Sequence, residues 1–367
     1  MRMKKYRVAV LGTGFIGPLH IDALGRVPQA EVTAACGLED ETLGALSARC
    51  GIRTCKDWRE LVNDSEIDVI HNCLPVGMHD EVNRAALLAG KKVYCEKPLS
   101  LTAAGAREIT LLAEEKGITV GLNHQYRMNA AVQEMRALAA RGLAGRILAA
   151  TGCYLQESGS REDDWSSRME NTGIARALSD IGTHWADTAS CVLGQPITAV
   201  MADLHTHYPV RRDAEGREHE MDTEDTGFIL VRFADGTPGQ LTVSKSANGH
   251  KNDLRLEVWG SEYSLGWEQE TPDRLWIGRK GGSCETRYMN PRECQPETKP
   301  YITAPMGHVM GWPDALRNAI QAYYNALDGD AGETRYATFR DGFRHMAFVE
   351  ACVRSSREKR WVEVEKL

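Results

Sequence analysis

Arg7 to Leu11 is a short, valine-bearing apolar run, and the turn Gly12-Thr13-Gly14-Phe15-Ile16-Gly17 follows it directly. Pro18 to Val27 then reads as a helix with Leu19, Ala23 and Leu24 to one side, and Glu31 to Cys36 as a second strand. A strand that turns on glycine into a helix and is followed by another buried strand leaves little choice but an α/β layer. In such a turn the first glycine permits the tight bend. The second lets a pyrophosphate approach the backbone at the helix N-terminus, and the third lets helix and strand close up. The spacing therefore predicts a dinucleotide cradle made of Gly12, Gly14, Phe15, Ile16 and Gly17.

The alternation continues. Trp58 to Val62 reads as a helix, Asp68 to Leu74 as a strand, Glu81 to Ala89 as a helix and Lys92 to Cys95 as a strand. Ala103 to Lys116 is an amphipathic helix and Thr119 to Leu122 a last strand. Residues 1–124 are thus expected to form an NAD(P)-binding Rossmann domain with a doubly wound parallel sheet. Ligands of such sheets lie beyond the carboxyl ends of the strands. Pro75 to His79 and Glu96-Lys97-Pro98 fall at such ends, so Pro75, His79, Glu96 and Lys97 are expected to border the cofactor. Pro98 makes the Lys97–Pro98 bond a candidate for cis geometry. An acidic residue on the ribose is expected ~20 residues past the glycines. Position 37 is glycine; Glu39, two residues on and followed by Asp40, is the candidate for the role. No arginine or lysine lies between Arg26 and Arg49 to hold a 2′-phosphate, so NAD is expected over NADP.

The character changes near Asn123. Residues 125–367 are expected to form an α+β domain on a largely antiparallel open sheet, for substrate binding and oligomerisation. Asn129 to Arg141 reads as a helix, and Arg146 to Gln156 as a strand with Tyr154 and Gln156 alternating. The polar stretch from Ser158 to Gly173 carries Asp163, Asp164, Trp165 and Arg168, an aromatic face and charges suited to a sugar. Arg176 to Leu193 reads as one helix, which would place Asp180, His184 and Asp187 on one face, the last two within ~40° of Asp180. Strands dominate from Ile197 to Gly278, with the charged run Arg211 to Asp225 expected to be solvated. Helices return at Trp312 to Leu327 and Tyr336 to Ser356. His184 has the imidazole that titrates near neutral pH and suits a base; Lys97 is a cation suited to a developing alkoxide.

Length and charge narrow the remaining choices. A chain of 367 residues exceeds one ordinary core. A net charge of −7 argues against nucleic acid or an anionic membrane surface as the main partner. The basic start Met1 to Lys5 leads into an apolar run that Gly12 breaks at once, so a first strand is expected there and not a leader. Ten cysteines are scattered without a Cys-x-x-Cys pair, which suits reduced thiols and a cytoplasmic location. His205 and His207 share a strand face without an evident third ligand, and no metal is expected.

Glu96-Lys97-Pro98 and Asp180-Ile181-Gly182-Thr183-His184, behind the glycine turn, resemble the glucose–fructose oxidoreductase/inositol dehydrogenase/rhizopine catabolism (Gfo/Idh/MocA) family. His71-Asn72-Cys73-Leu74-Pro75, with His79 after it, is similar to the family's third-strand region. The resemblance implies a Rossmann domain, a C-terminal sheet that forms a homodimer or homotetramer, and oxidation of a secondary alcohol on a sugar, glycoside or cyclitol. It implies Lys97, Asp180 and His184 as catalytic residues, and Tyr154, Gln156, Trp165, Arg168 and His308 as substrate contacts. A sugar or glycoside oxidised at ring C3 to a keto-sugar is the reading preferred here. An inositol is the alternative within the class. An NAD-dependent glycoside hydrolase without net redox change and a non-catalytic nicotinamide sensor are alternatives from other classes.

Overall fold

The computed structural model describes residues 5–166, 169, 172–329 and 334–367. The chain forms two compact units. The first comprises Met1–Gln125 and Pro313–Phe343; the second comprises Tyr126–Trp312 and Arg344–Leu367.

The first unit holds six parallel strands: β1 (Tyr6–Leu11), β2 (Ala30–Cys36), β3 (Arg53–Cys55), β4 (Val69–Asn72), β5 (Lys92–Cys95) and β6 (Val120–Leu122). Their order is β3-β2-β1-β4-β5-β6, so the winding reverses between β1 and β4. That reversal opens a crevice at the carboxyl ends, where dinucleotides bind in folds of this order. The central strands are buried on both faces because helices cover both; all four residues of β4 are buried, His71 and Asn72 among them. Two crossover helices are capped by side chains: Asp57 accepts from Arg59 N ahead of Trp58–Val62, and Thr102 from Gly105 N ahead of Ala103–Glu115.

The late segment Pro313–Phe343 belongs to this unit, whereas the sequence reading grouped it with everything after residue 125. Its reason is aromatic. Tyr323 and Tyr324 on the helix Trp312–Leu327 are fully buried, and their rings meet Tyr94 and Tyr6 at 5.2 and 5.8 Å. Tyr6 OH donates to Leu327 O at 2.9 Å, and Leu122 N to Ala337 O at 2.7 Å.

The second unit is built on β7 (Ile147–Leu155), β8 (Ile197–His205), β9 (Val210–Arg212), β10 (Glu218–Glu220), β11 (Thr226–Phe233), β12 (Pro238–Ser244), β13 (Asp253–Gly260), β14 (Tyr263–Glu268), β15 (Arg274–Arg279), β16 (Glu285–Tyr288) and β17 (Val362–Glu363). Nine of these form a sheet in the order β16-β15-β14-β13-β7-β12-β11-β8-β17, antiparallel except where β7 meets β12. In β11 the buried and exposed residues alternate, as expected of a sheet with one covered face. The other face carries Phe228, Leu230, Trp259 and Trp276, all exposed.

Two expectations need correction here. The run Arg211 to Asp225 is not solvated throughout. β9 and β10 pair as a hairpin, and Arg211 is fully buried, donating to Gly159 O at 2.8 Å and pairing with Asp225 at 2.7 Å. Arg176 ion-pairs with the same carboxylate, so the insertion is fastened by two guanidinium groups. The stretch from Arg176 is also not one regular helix. A π turn at Leu178–Gly182 precedes an α-helix at Thr183–Leu193. No helix among the described residues is long and apolar enough to cross a membrane.

Candidate active site

In the first unit the glycine turn sits at the carboxyl end of β1. Gly12 has φ +95°, and a Cβ there would lie 2.4 Å from the carbonyl oxygen of Cys73, so only glycine fits. At Gly14 no heavy atom lies within 4 Å of the place a Cβ would take, so the second glycine faces open space. Phe15 is exposed ahead of the helix Ile16–Leu24, whose N-terminal amides lie next to that space. An open approach at a helix N-terminus is the donor set a pyrophosphate requires, so these residues fit a dinucleotide.

Gly37 has a steric cause. A side chain there would meet Thr13 Oγ1 at 1.9 Å, so the Thr13 side chain fills the space an acidic residue would use. Glu39 follows as the exposed cap residue of the helix Asp40–Cys50 and accepts from Thr42 Oγ1 at 3.1 Å.

The ends of β4 and β5 carry the remaining first-unit candidates. Pro75 is exposed at the start of a 3-10 turn, Val76–Met78. His79 is buried, with its ring nitrogens 2.8 Å from Pro98 O and 2.9 Å from Leu74 O, and so braces the two strand-end turns. The Lys97–Pro98 bond is cis. Lys97 is part-exposed, and its amide N–H donates to Glu96 Oε2 at 3.1 Å. Glu96 is buried and takes further bonds from Asn123 Nδ2 at 2.6 Å and His20 Nε2 at 2.9 Å. Burial pushes its carboxyl up. The bonds and charge of His20, with the charge of Lys97, outweigh that and leave it below the usual value.

In the second unit His184 is 3% exposed, on the α-helix after the π turn. The Tyr126 ring meets it edge-on at 4.8 Å, and the Tyr154 ring lies 6.0 Å away. The two tyrosines and Asn252 close a ring of hydrogen bonds. Asn252 Nδ2 donates to Tyr126 OH at 2.9 Å and Tyr154 OH donates to Asn252 Oδ1 at 2.5 Å. The 3.1 Å contact between the hydroxyls completes it, with Tyr126 as donor. Gln156 Nε2 adds a bond to Asn252 Oδ1 at 3.0 Å. Burial, then Tyr126, pushes the Tyr154 hydroxyl well above its usual value, so it stays protonated.

Asp180 ion-pairs with Lys245, which follows β12; their side chains are 45% and 14% exposed. Asp187, which the helical reading aligned with them, is buried and paired with Arg127, with His345 Nε2 at 3.1 Å. The π turn changes the angular step between positions 180 and 187, so the two carboxylates take different partners. Trp165 stacks on His219 of the β9–β10 hairpin at 3.8 Å and 15°. His308 is exposed in a turn and bonds to Pro305 O at 3.2 Å. Arg168 lies outside the described residues. The structure thus brings Tyr154 and Gln156 together at one network beside His184, adds Tyr126 and Asn252 to it, and pairs Asp180 with Lys245; the sequence reading selected none of these three additions.

Residues 6–124 match the family described as "Oxidoreductase family, NAD-binding Rossmann fold", and residues 132–266 match the "GFO/IDH/MocA C-terminal domain". A levoglucosan dehydrogenase of Pseudarthrobacter phenanthrenivorans is 27% identical over 395 residues, with all of both chains covered. A 1,5-anhydro-D-fructose reductase of Ensifer adhaerens is 30% identical over 260 residues, covering 71% of this chain and 74% of that one. Among solved structures, levoglucosan dehydrogenase in complex with NADH and L-sorbose superposes with a TM-score of 0.92 at 26% identity, with both chains fully covered. The glycine cradle, the strand-end lysine, the buried histidine of the second unit and these matches over both units agree: the chain belongs to the Gfo/Idh/MocA family of oxidoreductases, with an NAD-binding Rossmann domain.

Proposed function

We propose that the chain oxidises a secondary alcohol of a sugar or glycoside, at ring C3, to a keto-sugar. The observation that carries this reading is the array around His184: an imidazole, two tyrosine hydroxyls and two carboxamides, with the Asp180–Lys245 pair in the same unit. Carboxamides and hydroxyls are the groups that read a polyol, and aromatic edges suit its C–H surface. The names of the relatives, a levoglucosan dehydrogenase and an anhydro-fructose reductase, favour the same substrate class.

Bound NAD would lie with its pyrophosphate on the Gly12–Gly17 turn and would supply the hydride acceptor. His184 takes the hydroxyl proton as that carbon is oxidised, imidazole being the side chain that ordinarily titrates near neutral pH. Lys97 stabilises the charge that develops on the oxygen. Asp180, held by Lys245, accepts a hydrogen bond from a neighbouring substrate hydroxyl. Tyr154 and Gln156 orient the ring through Asn252. Trp165, covered on one face by His219, offers the other to the sugar.

The exposed sheet face, with Phe228, Leu230, Trp259 and Trp276, supports pairing of two or four copies. Ten free thiols support a reducing, cytoplasmic compartment. The decisive experiment incubates the protein and NAD with levoglucosan, glucose, glucosides and inositols, following NADH absorbance and substrate mass. Loss of two hydrogens from a sugar or glycoside, with NADH formed, is expected. Bond cleavage without net NADH, or oxidation of inositols alone, overturns the reading.

A further inference from the structure

Four polar side chains in the first unit run in series, and all are at least nine-tenths buried. Tyr324 OH lies 3.2 Å from His71 Nε2, His71 Nδ1 lies 3.0 Å from His20 Nδ1, and His20 Nε2 lies 2.9 Å from Glu96 Oε1. Between two facing Nδ1 atoms there is room for one proton, so one ring donates and the other accepts.

The Glu96 end decides which. Its Oε1 already receives the Asn123 amide and its Oε2 the Lys97 backbone N–H, and neither donor can reverse. A carboxyl with an N–H on each oxygen is held as the carboxylate, so His20 Nε2 carries a proton and donates it. With a single ring proton His20 has a bare Nδ1 and accepts from His71 Nδ1–H. His71 in turn has a bare Nε2 and accepts the Tyr324 hydroxyl. Burial holds His71 well below the usual imidazole range, and any positive charge on His20 pushes it the same way, which keeps His71 neutral. Every bond in the series points toward Glu96. One further proton, placed on His20 Nδ1, would turn His71 round: it would accept at Nδ1 and donate from Nε2.

We propose that this directional chain fixes the Glu96 carboxylate and, through the bond from the Lys97 amide, the aim of the Lys97 side chain, which makes His20 a positioning residue. The proposal rests on reading Lys97 as the cation of the reaction. At the Glu96 end the neighbours are Lys97, a cation, and His79, which burial holds below its usual value. Cys73 and Cys95 are thiols pushed up by burial, so they stay neutral. Tyr94 bonds to Asn123, while Tyr6, Tyr323 and the more distant Asp68 lie toward the Tyr324 end.

The test starts with the full-length wild type, without substrate. Nitrogen-15 spectra of the labelled histidines at neutral pH are assigned with His20→Gln and His71→Gln. The expected result is a proton on Nε2 of His20 and on Nδ1 of His71. The opposite tautomers, or rings without a fixed tautomer, overturn the chain, and this holds whether or not any sugar is turned over. His20→Leu should then lower kcat about tenfold and displace its pH profile, the scale of one lost hydrogen bond to a charged group. His20→Gln, which keeps a donor for Glu96, should recover most of the rate. If no sugar reacts, the proposed function fails separately, and the Lys97 Cε resonance of labelled protein must still move in His20→Leu. An unchanged pH profile, or an unchanged Lys97 resonance, overturns the positioning role; if His20→Leu does not fold, His71→Gln takes its place in both readings.

Discussion

The two units solve the same problem, a buried polar network beside a reactive side chain, with different chemistry. Behind Lys97 the network is titratable: two imidazoles, a carboxylate and a phenol in series. Beside His184 it is neutral: two phenols and two carboxamides, closed on themselves. The first has a direction that one proton can reverse. The second keeps its pattern across the working pH range, because Tyr154 is pushed up and amides do not titrate. The lysine is thus supported by groups that respond to acid, and the histidine by groups that do not.

The largest expected effect sharpens this contrast at the reacting groups. His184→Asn should lower kcat by about 10² to 10⁴, the range for losing a general base. Lys97→Met should lower it by about 10² to 10³, the scale of one charge-stabilising group. Steady-state kinetics on the substrate identified above checks both, and full turnover in His184→Asn would remove the base from its role. Breaking the neutral ring comes next. Asn252→Leu strips partners from two buried hydroxyls and should cost about 1–3 kcal/mol in urea unfolding, with a raised KM for the sugar.

Acid should separate the units. Glu96 and His71 both have folded values below their unfolded ones. Their contribution is therefore complete above the unfolded value and is lost as pH falls. For His71 the loss begins below about 6.5, and for Glu96 below about 4.3. Glu224, in the second unit, is raised by burial despite its bonds to Arg176 and Leu178 amides, so its sign is opposite. Hydrogen exchange between pH 7 and 4.5 should show β4 and β5 losing protection before β11 and β12; simultaneous loss would break the comparison. The smallest effect is expected at Lys245→Met. Asp180 is nearly half exposed, so water replaces much of the lost partner, and a rise in KM of about threefold is expected with little change in stability.

The parts legible in the sequence are those whose physics is local. A strand, a glycine turn and a helix announce themselves within the first thirty residues, and period-two alternation puts Tyr154 and Gln156 on one side of β7. Tyr126, Asn252 and Lys245 carry no such signal. The pairing of β7 with β12 and β13 carries the turns of Lys245 and Asn252 to the end of β7, and Tyr126 comes from a 3-10 turn, Gln125–Met128, outside those strands. The reading of Asp180 on the same regular helix as His184 and Asp187 missed the turn at Leu178–Gly182 for a related reason: a π turn is not visible in a 3.6-residue pattern. Gly37 looked like a missing acid, and only the contact with Thr13 shows a space already filled. The burial of Arg211 was hidden because a lone charged residue reads as solvated until its carboxylate, fourteen positions away in sequence, is seen.

The return of Pro313–Phe343 to the first unit bears on the order in which the molecule can be made. A growing chain that has just exposed residue 125 holds six strands, but Tyr6 lacks its carbonyl partner at Leu327, Leu122 its partner at Ala337 and His71 its hydroxyl at Tyr324. Those partners are synthesised about two hundred residues later, after the whole nine-stranded sheet apart from β17. The cofactor-binding half therefore finishes folding only after most of the second unit has been made, and a fragment cut near residue 125 would carry the glycine turn on an unfinished core.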